Sequence, residues 1–361
     1  MMKLFYFFIP SFFILWGLWG LYKKSQNTKY IIILSFGLSI IAFYTMPNIS
    51  DDLQRHFNVI NEFKNAPLES IFYSGYTPNY LNNLIMFLVS KTGIPNLYTM
   101  IFTFFGYLIL FKYIDEIYQD NNIINKNQFL LMILFAFSLS FYKVYILAIR
   151  NYFCFIAGIY ILYLYQKKKI NIYMYFFFLL LLSLIHVTSL IFIIFIVFIK
   201  LKNKAVKTII LVLLLFHKLI LNILLYLLPE NNYFYQKIIP YLTQEVLSYN
   251  TNFMILYGII ILFSFFVIYI NWKSNREKSE LLLFSTIFAM STYYQFDLIR
   301  RFIYMVPLIM CDSLSLVLIE DGKIFNISIK RISYFFIIGL IIGSLLAMYA
   351  NARAYGWYLI F

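Results

Sequence analysis

The chain has 361 residues, of which 63% are hydrophobic, 22% aromatic and only 12% charged, with a mean hydropathy of +0.80. Soluble domains carry about 25% charged residues, so this composition excludes a soluble globular protein, a disordered chain and a collagen-like chain, and leaves a polytopic helical membrane protein. The net charge of +14 then belongs to lysine-rich cytoplasmic loops rather than to a nucleic-acid surface.

A membrane span needs roughly 20 apolar residues. The sequence predicts spans at 4–22, 30–47, 96–115, 128–142, 145–165, 205–228, 252–271, 281–297, 302–319 and 332–350. The first run lacks a small-residue cleavage site and reads as a retained span, not a signal peptide. Asn79–Lys91 reads as an amphipathic helix on, or re-entering, the outer surface. The stretch 172–199 is long for one span and short for two, and His186, Thr188 and Ser189 interrupt its middle. Basic clusters at Lys23/Lys24/Lys29, Lys112 with Lys126, Lys167–Lys169, Lys200–Lys207, Lys273–Lys278 and Lys323–Arg331 set the cytoplasmic side. Both flanks of 172–199 are then inside, so this stretch goes out and comes back as two half-length helices meeting near His186. Such a break is tolerated only against protein or a wet cavity. The expected architecture is all-α: a polytopic transmembrane helix bundle of about 12 membrane segments, including the split hairpin. It forms a single integral membrane domain over residues 1–361, with external loops at 48–95 and 229–251.

Ionisable residues in a span cost roughly 2.5–3.5 kcal/mol at the helix centre on insertion scales, so those that persist point to a partner, a cavity or a ligand. Asp51 and Asp52 follow the second span, and Asp52 shares a helix face with Arg55 at i+3 and His56 at i+4. That is either a carboxylate–cation site at the membrane surface or a solvated pair at a helix start. Arg150 lies five residues into its span, and its face continues through Cys154, Ala157 and Gly158. Small residues allow close helix approach, which turns Arg150 toward the bundle. There its planar fork suits two oxygens of a phosphate or carboxylate; the alternative is an arginine snorkelling to the interface.

His186, at the hairpin apex, is a proton carrier or a donor to phosphate, or a hydrogen-bonded residue that closes the loop. Asp297, Arg300 and Arg301 occupy an outer turn. Two arginines there oppose the positive-inside trend, so an anion is expected beside them, or else an ion pair touching lipid phosphate. Lys143, in the outer turn before the Arg150 span, is a further cation. His217 and Lys218 form a bundle-facing polar pair in the middle of 205–228. Aromatics of the external segments (Phe72, Tyr73, Tyr76, Tyr80, Tyr233, Phe234, Tyr235, Tyr241 and Tyr249) are platforms for sugar rings or members of an interfacial belt. Cys154 and Cys311 read as small buried hydrophobes. The chain contains no GxxxxGK[ST], HExxH or GxSxG motif, and three histidines are too few for a typical zinc cage. No cofactor and no metal are expected.

A basic outer cavity with acids at its rim suits an anionic, membrane-bound ligand such as a polyprenyl diphosphate. Asp-Asp-x-x-Arg-His at 51–56, Ile149-Arg150-Asn151-Tyr152, the turn Lys167–Lys169, His186-Val-Thr-Ser189 and Arg300-Arg301-x-x-Tyr304 together resemble the EpsG and Wzy-type polysaccharide polymerases over residues 45–310. The resemblance implies a GT-C-type membrane glycosyltransferase. Such an enzyme joins undecaprenyl-diphosphate-linked oligosaccharide repeat units into O-antigen or capsule at the periplasmic face of a bacterial inner membrane, without a metal. Its partners are that lipid-linked oligosaccharide, membrane lipid and a chain-length regulator protein, with no nucleic acid. In this reading Arg150 with Arg300 or Arg301 grips the departing diphosphate, His186 assists it, and Asp52 or Asp297 is the base for the acceptor hydroxyl. Arg55, Lys143, Arg300, Arg301 and Tyr304 bind substrate. The alternatives are a lipid-linked oligosaccharide flippase, an O-antigen ligase and a membrane O-acyltransferase.

Overall fold

The computed structural model describes residues 2–23, 28–45, 47, 51–73, 79–121, 125–140, 145–146, 148–227, 229, 251–292, 296–320, 322–324 and 327–354. Among these the chain is helical, apart from one antiparallel pair of two-residue strands, β1 (Lys323–Ile324) and β2 (Ile327–Ser328). Three described helices are long and apolar enough to cross a membrane: Asn96–Asp120, Met254–Asn271 and Ile329–Leu346. Shorter apolar helices cover Thr28–Phe43, Lys126–Leu139, Ile172–Ser183 and Val187–Lys200. The chain packs as two compact units with a boundary at Phe192/Ile193, and residues 344–354 group with the first unit.

The first unit opens with α1 (Met2–Lys23) and α2 (Thr28–Phe43). They pack closely because Gly17 leaves room for Leu34, whose Cβ lies only 2.8 Å from where a Cβ on Gly17 would stand. The amphipathic α3 (Asp52–Phe63) buries Leu53, His56, Phe57, Ile60 and Phe63, the spacing of one helical face. The expected surface helix is α4 (Tyr80–Thr92). Its Lys91 Nζ donates to the carbonyls of Phe63, Lys64 and Ala66, each at 3.1 Å. The ammonium thereby caps the C-terminal end of α3, whose last carbonyls have no partner in the helix itself.

The long α5 (Asn96–Asp120) covers about 37 Å and so defines two ends of the unit. At one end Asn96 Nδ2 donates to Phe43 O at 2.6 Å and Thr99 Oγ1 to Ala42 O at 3.0 Å. At the other, Asp120 accepts from Tyr163 Oη at 2.6 Å, and Lys169 pairs with Glu116 and Asp120. Tyr163 lies near the end of α7 (Ile149–Gln166). The Lys167–Lys169 turn that follows places Lys168 at φ 57, the left-handed step that commonly ends a helix. Helix α6 (Lys126–Leu139) starts with Asn125 capping the amides of Asn127 and Gln128, and Lys126 Nζ donates to Lys23 O at 3.0 Å.

The stretch 172–199 is broken where the sequence predicts. Helix α8 (Ile172–Ser183) ends before His186, a 3-10 turn covers Val187–Leu190, and α9 (Ile191–Lys200) follows. An unbroken helix would set Tyr175 and Phe192 about 25 Å apart. Instead Tyr175 Oη donates to Phe192 O at 2.8 Å, so the arms fold back on each other with His186 at the apex.

The second unit contains α10 (Lys204–Leu215), α11 (His217–Leu227), α12 (Thr251–Asn271), α13 (Arg276–Ser291), α14 (Phe296–Ile303), α15 (Met305–Val317) and the start of α16 (Ile329–Ala354). Two expectations are corrected here. The single span at 205–228 is two helices bent by 71°. His217 Nδ1 meets Leu214 O at 3.0 Å, which caps α10 just where the expected span would continue. The expected turn at Asp297–Arg301 lies instead within α14, a short amphipathic helix that buries Ile299 and Ile303. Charged residues gather where α10, α13 and α15 meet: Lys207 pairs with Glu280, Arg276 Nε lies 2.7 Å from Glu280, and Lys278 Nζ lies 2.7 Å from Asp312. Phe198 stacks on Phe284 with ring centroids 4.3 Å apart.

Candidate functional site

In the first unit the starts of α3, α4 and α7 gather around the apex of the split hairpin. The end of α8 docks on the start of α4, where Leu184 O accepts from Leu81 N at 3.0 Å and Asn82 N at 3.2 Å. These are first-turn amides that the helix itself leaves unmatched. Asp52 stands in the first turn of α3, where the helix dipole favours a carboxylate. Arg150 stands in the first turn of α7, where its charge adds to the positive end of the dipole. It is buried at 6% exposure, together with Cys154, Ala157 and Gly158 along the same face. Arg150 is therefore a bundle residue and not a snorkelling one.

The Asp52 carboxylate joins the charged groups. Arg55 Nη2 lies 2.7 Å from it, His56 Nε2 lies 3.5 Å away and Arg150 Nη2 lies 3.9 Å away. Burial raises the Asp52 carboxyl, but the His56 contact and the charges of Arg150 and Arg55 outweigh it and hold the group well below the usual carboxylate range. His56 is fully buried and packs 5.4 Å from the Tyr98 ring. Burial pushes its imidazole below the ordinary value, Asp52 pulls it up, and Arg150 and Arg55 push it down again; the net direction is down. His56 is accordingly neutral at pH 7 beside an ionised Asp52. Behind it, Tyr98 Oη donates to Asn82 Oδ1 at 2.7 Å, so a buried polar layer links α4 to α5.

At the next residue of α7, Asn151 Oδ1 accepts from Thr188 Oγ1 at 3.1 Å. The same hydroxyl lies 2.8 Å from His186 Nδ1, which also accepts from Thr188 N at 3.2 Å. His186 thus caps the 3-10 turn with its own ring.

The structure therefore brings Asp52, Arg55 and Arg150 together in the first unit, with His186 tied through Thr188 to Asn151, the residue after Arg150. Arg301, half-buried, and Tyr304, buried at 2% exposure, belong to the second unit. Asp297 and Arg300 lie on α14, but their side chains are outside the described residues, as are Lys143, Tyr76 and the aromatics expected at 233–249. Tyr73 is exposed at 85%, and Phe72 packs against Tyr80 at 5.7 Å. Asn82, Tyr98, Asn151 and Thr188 were not singled out as site residues by the sequence, which reads His56 as a cation beside Asp52. Asn151 and Thr188 stand inside the quoted motifs, so their signal was adjacency to Arg150 and His186. Asn82 and Tyr98 carry no such signal. Among the described residues no group of three or more His, Cys, Asp or Glu side chains is placed to hold a metal ion.

The site defines a cationic, partly buried centre on a helical scaffold with membrane-length helices. In comparison with known proteins, no family model, no curated protein and no solved structure matches the chain.

Proposed function

We propose that the chain is an integral-membrane glycosyltransferase that polymerises undecaprenyl-diphosphate-linked oligosaccharide repeat units into O-antigen or capsule at the periplasmic face of a bacterial inner membrane. The observation that carries this reading is the buried Arg150 guanidinium, which faces Asp52 from a helix whose next residue, Asn151, holds the Thr188–His186 apex. It lies at the end of the first unit opposite Lys23, Lys126 and Lys169. Taking the lysine end as cytoplasmic turns Arg150 and His186 outward. The wider architecture of this proposal is a GT-C-like bundle of about twelve membrane segments, with a chain-length regulator protein as a further partner.

In the reaction, an acceptor sugar hydroxyl attacks the anomeric carbon of the donor chain. The bond from that carbon to the lipid diphosphate breaks, and the diphosphate leaves with the electron pair. Arg150 neutralises charge on the departing oxygens, in a buried setting that strengthens the interaction. His186 assists as a donor to the same group. Of the two candidate bases, Asp52 is a weak proton acceptor, because the cations around it keep it ionised; Asp297 is the other. Arg300, Arg301 and Tyr304 keep their proposed substrate-binding role.

The test is incubation of purified protein with one undecaprenyl-diphosphate-linked repeat unit, followed by gel analysis. A ladder of lengthened chains that is lost in Arg150→Ala supports polymerisation. Unextended material that purified protein only moves between leaflets of a vesicle rejects it in favour of a flippase.

A further inference from the structure

Asp52 is unusually placed for a catalytic base. Its carboxylate is closed on Arg55 at 2.7 Å but stands 3.9 Å from Arg150, beyond an ordinary charge-assisted hydrogen bond. It is a quarter exposed, whereas Arg150 is almost wholly buried. One carboxylate therefore bridges an outer guanidinium, held tightly, and an inner one, held loosely. Carboxylate and phosphate oxygens use the same guanidinium fork, so any phosphate arriving at Arg150 competes with Asp52 for it. The Arg55 contact keeps Asp52 in place while Arg150 is handed over.

Resting on the diphosphate reading above, we infer that Asp52 is a built-in counter-ion that weakens the site's hold on the departing diphosphate. It is an affinity-setting residue, and not the group that takes the acceptor's proton. A buried arginine facing a leaving diphosphate risks holding its product. A fixed carboxylate at the same guanidinium offsets that hold and lets the carrier leave between rounds of addition. The position of Asp52 in the first turn of α3 serves this role. The helix dipole and Arg55 both keep it ionised, so it stays a competitor at every working pH.

The experiment measures binding of inorganic pyrophosphate and of farnesyl diphosphate to the full chain in detergent. Calorimetry compares the wild type with Asp52→Asn and Asp52→Ser, each first shown to elute as a single folded species. Two variants guard against one failing to fold. The expected result is tighter binding in both variants by about tenfold, the scale of one partly exposed charge removed from beside another. The gain disappears in Asp52→Asn/Arg150→Ala. Binding seen only in the Asp52 variants, with none in the wild type, gives the same support. If the wild type binds and both variants bind equally or more weakly, the counter-ion role is overturned while the diphosphate site stands. If no form of the protein binds either probe, the diphosphate reading itself falls, and this inference with it.

Discussion

Thr188 Oγ1 donates to Asn151 Oδ1 at 3.1 Å, and this bond ties the apex of the split hairpin to the residue after Arg150. The apex has left helical geometry, with His186 at φ −156 and ψ 127. Its ring is fixed instead by Thr188, through the amide and the hydroxyl. The Thr188 hydroxyl is therefore one of the links that set His186 relative to α7 and Arg150.

Thr188→Val removes that hydroxyl and leaves the contact between the Thr188 amide and the His186 ring. Chain extension should fall about tenfold, a modest misplacement effect, and stability by about 1 kcal/mol for one hydrogen bond. Thr188→Ser should restore both. Asn151→Leu should act in the same direction, and the Thr188→Val/Asn151→Leu pair should be no worse than either alone, as residues of one link are non-additive. Initial rates of ladder formation check this; additive losses would place the two residues in separate roles.

Arg150→Ala should abolish long-chain polysaccharide while the protein stays in the membrane, because Asp52 keeps Arg55 as its partner. Loss of a preorganised donor to a leaving group amounts to roughly 100-fold to 1000-fold in rate. Arg150→Lys keeps a charge but not the planar fork, so it should recover only part of that loss. Immunoblots of membranes alongside polysaccharide gels separate the rate effect from loss of protein.

The helical, membrane-length character of the chain was legible because composition and apolar run length report on the solvent around each segment. The split hairpin was legible for a related reason: a polar His-x-Thr-Ser in an apolar run needs backbone partners that a lipid cannot provide. The small-residue face beside Arg150 likewise told which way the guanidinium turns. What sequence could not give was pairing across the chain. Asn82 and Tyr98 are ordinary residues until α4 and α5 meet. The bend after Leu215 also escaped, since periodicity does not reveal that the His217 ring takes a backbone carbonyl.

Stability should depend on pH through His56. Its folded value lies below the unfolded one, which is about 6.5. The unfolded chain then binds the proton first, so the contribution is complete above that value and is lost as pH falls from about 6.5 toward the folded value. Asp52 is also depressed; its contribution holds above the ordinary carboxylate range of about 4 and is lost only in stronger acid. Melting temperature in detergent should therefore drop between pH 7.5 and pH 5, with a slope of at most about 1.4 kcal/mol per pH unit from this residue. His56→Gln should flatten that slope. An unchanged slope would assign the acid sensitivity to other groups.

The return arm of the hairpin depends on Gly158. A Cβ added there would stand 2.1 Å from Phe192 Cε2 and 2.3 Å from Phe192 Cδ2, far inside contact distance. Phe192 cannot simply step aside, because its carbonyl is held by Tyr175 Oη at 2.8 Å and its side chain is fully buried. Gly158→Ala must therefore push α7 and the hairpin apart near the position that sets Thr188 against Asn151. Overpacking of this kind costs about 1–3 kcal/mol, and chain extension should fall further than stability does, because the apex moves relative to Arg150. Trimming the obstacle in Gly158→Ala/Phe192→Leu should recover both melting temperature and ladder length. Phe192→Leu alone should lose stability through the space it leaves and keep most of its activity. If Gly158→Ala is silent in both measurements, the close approach of α7 to the return arm does not hold the site together.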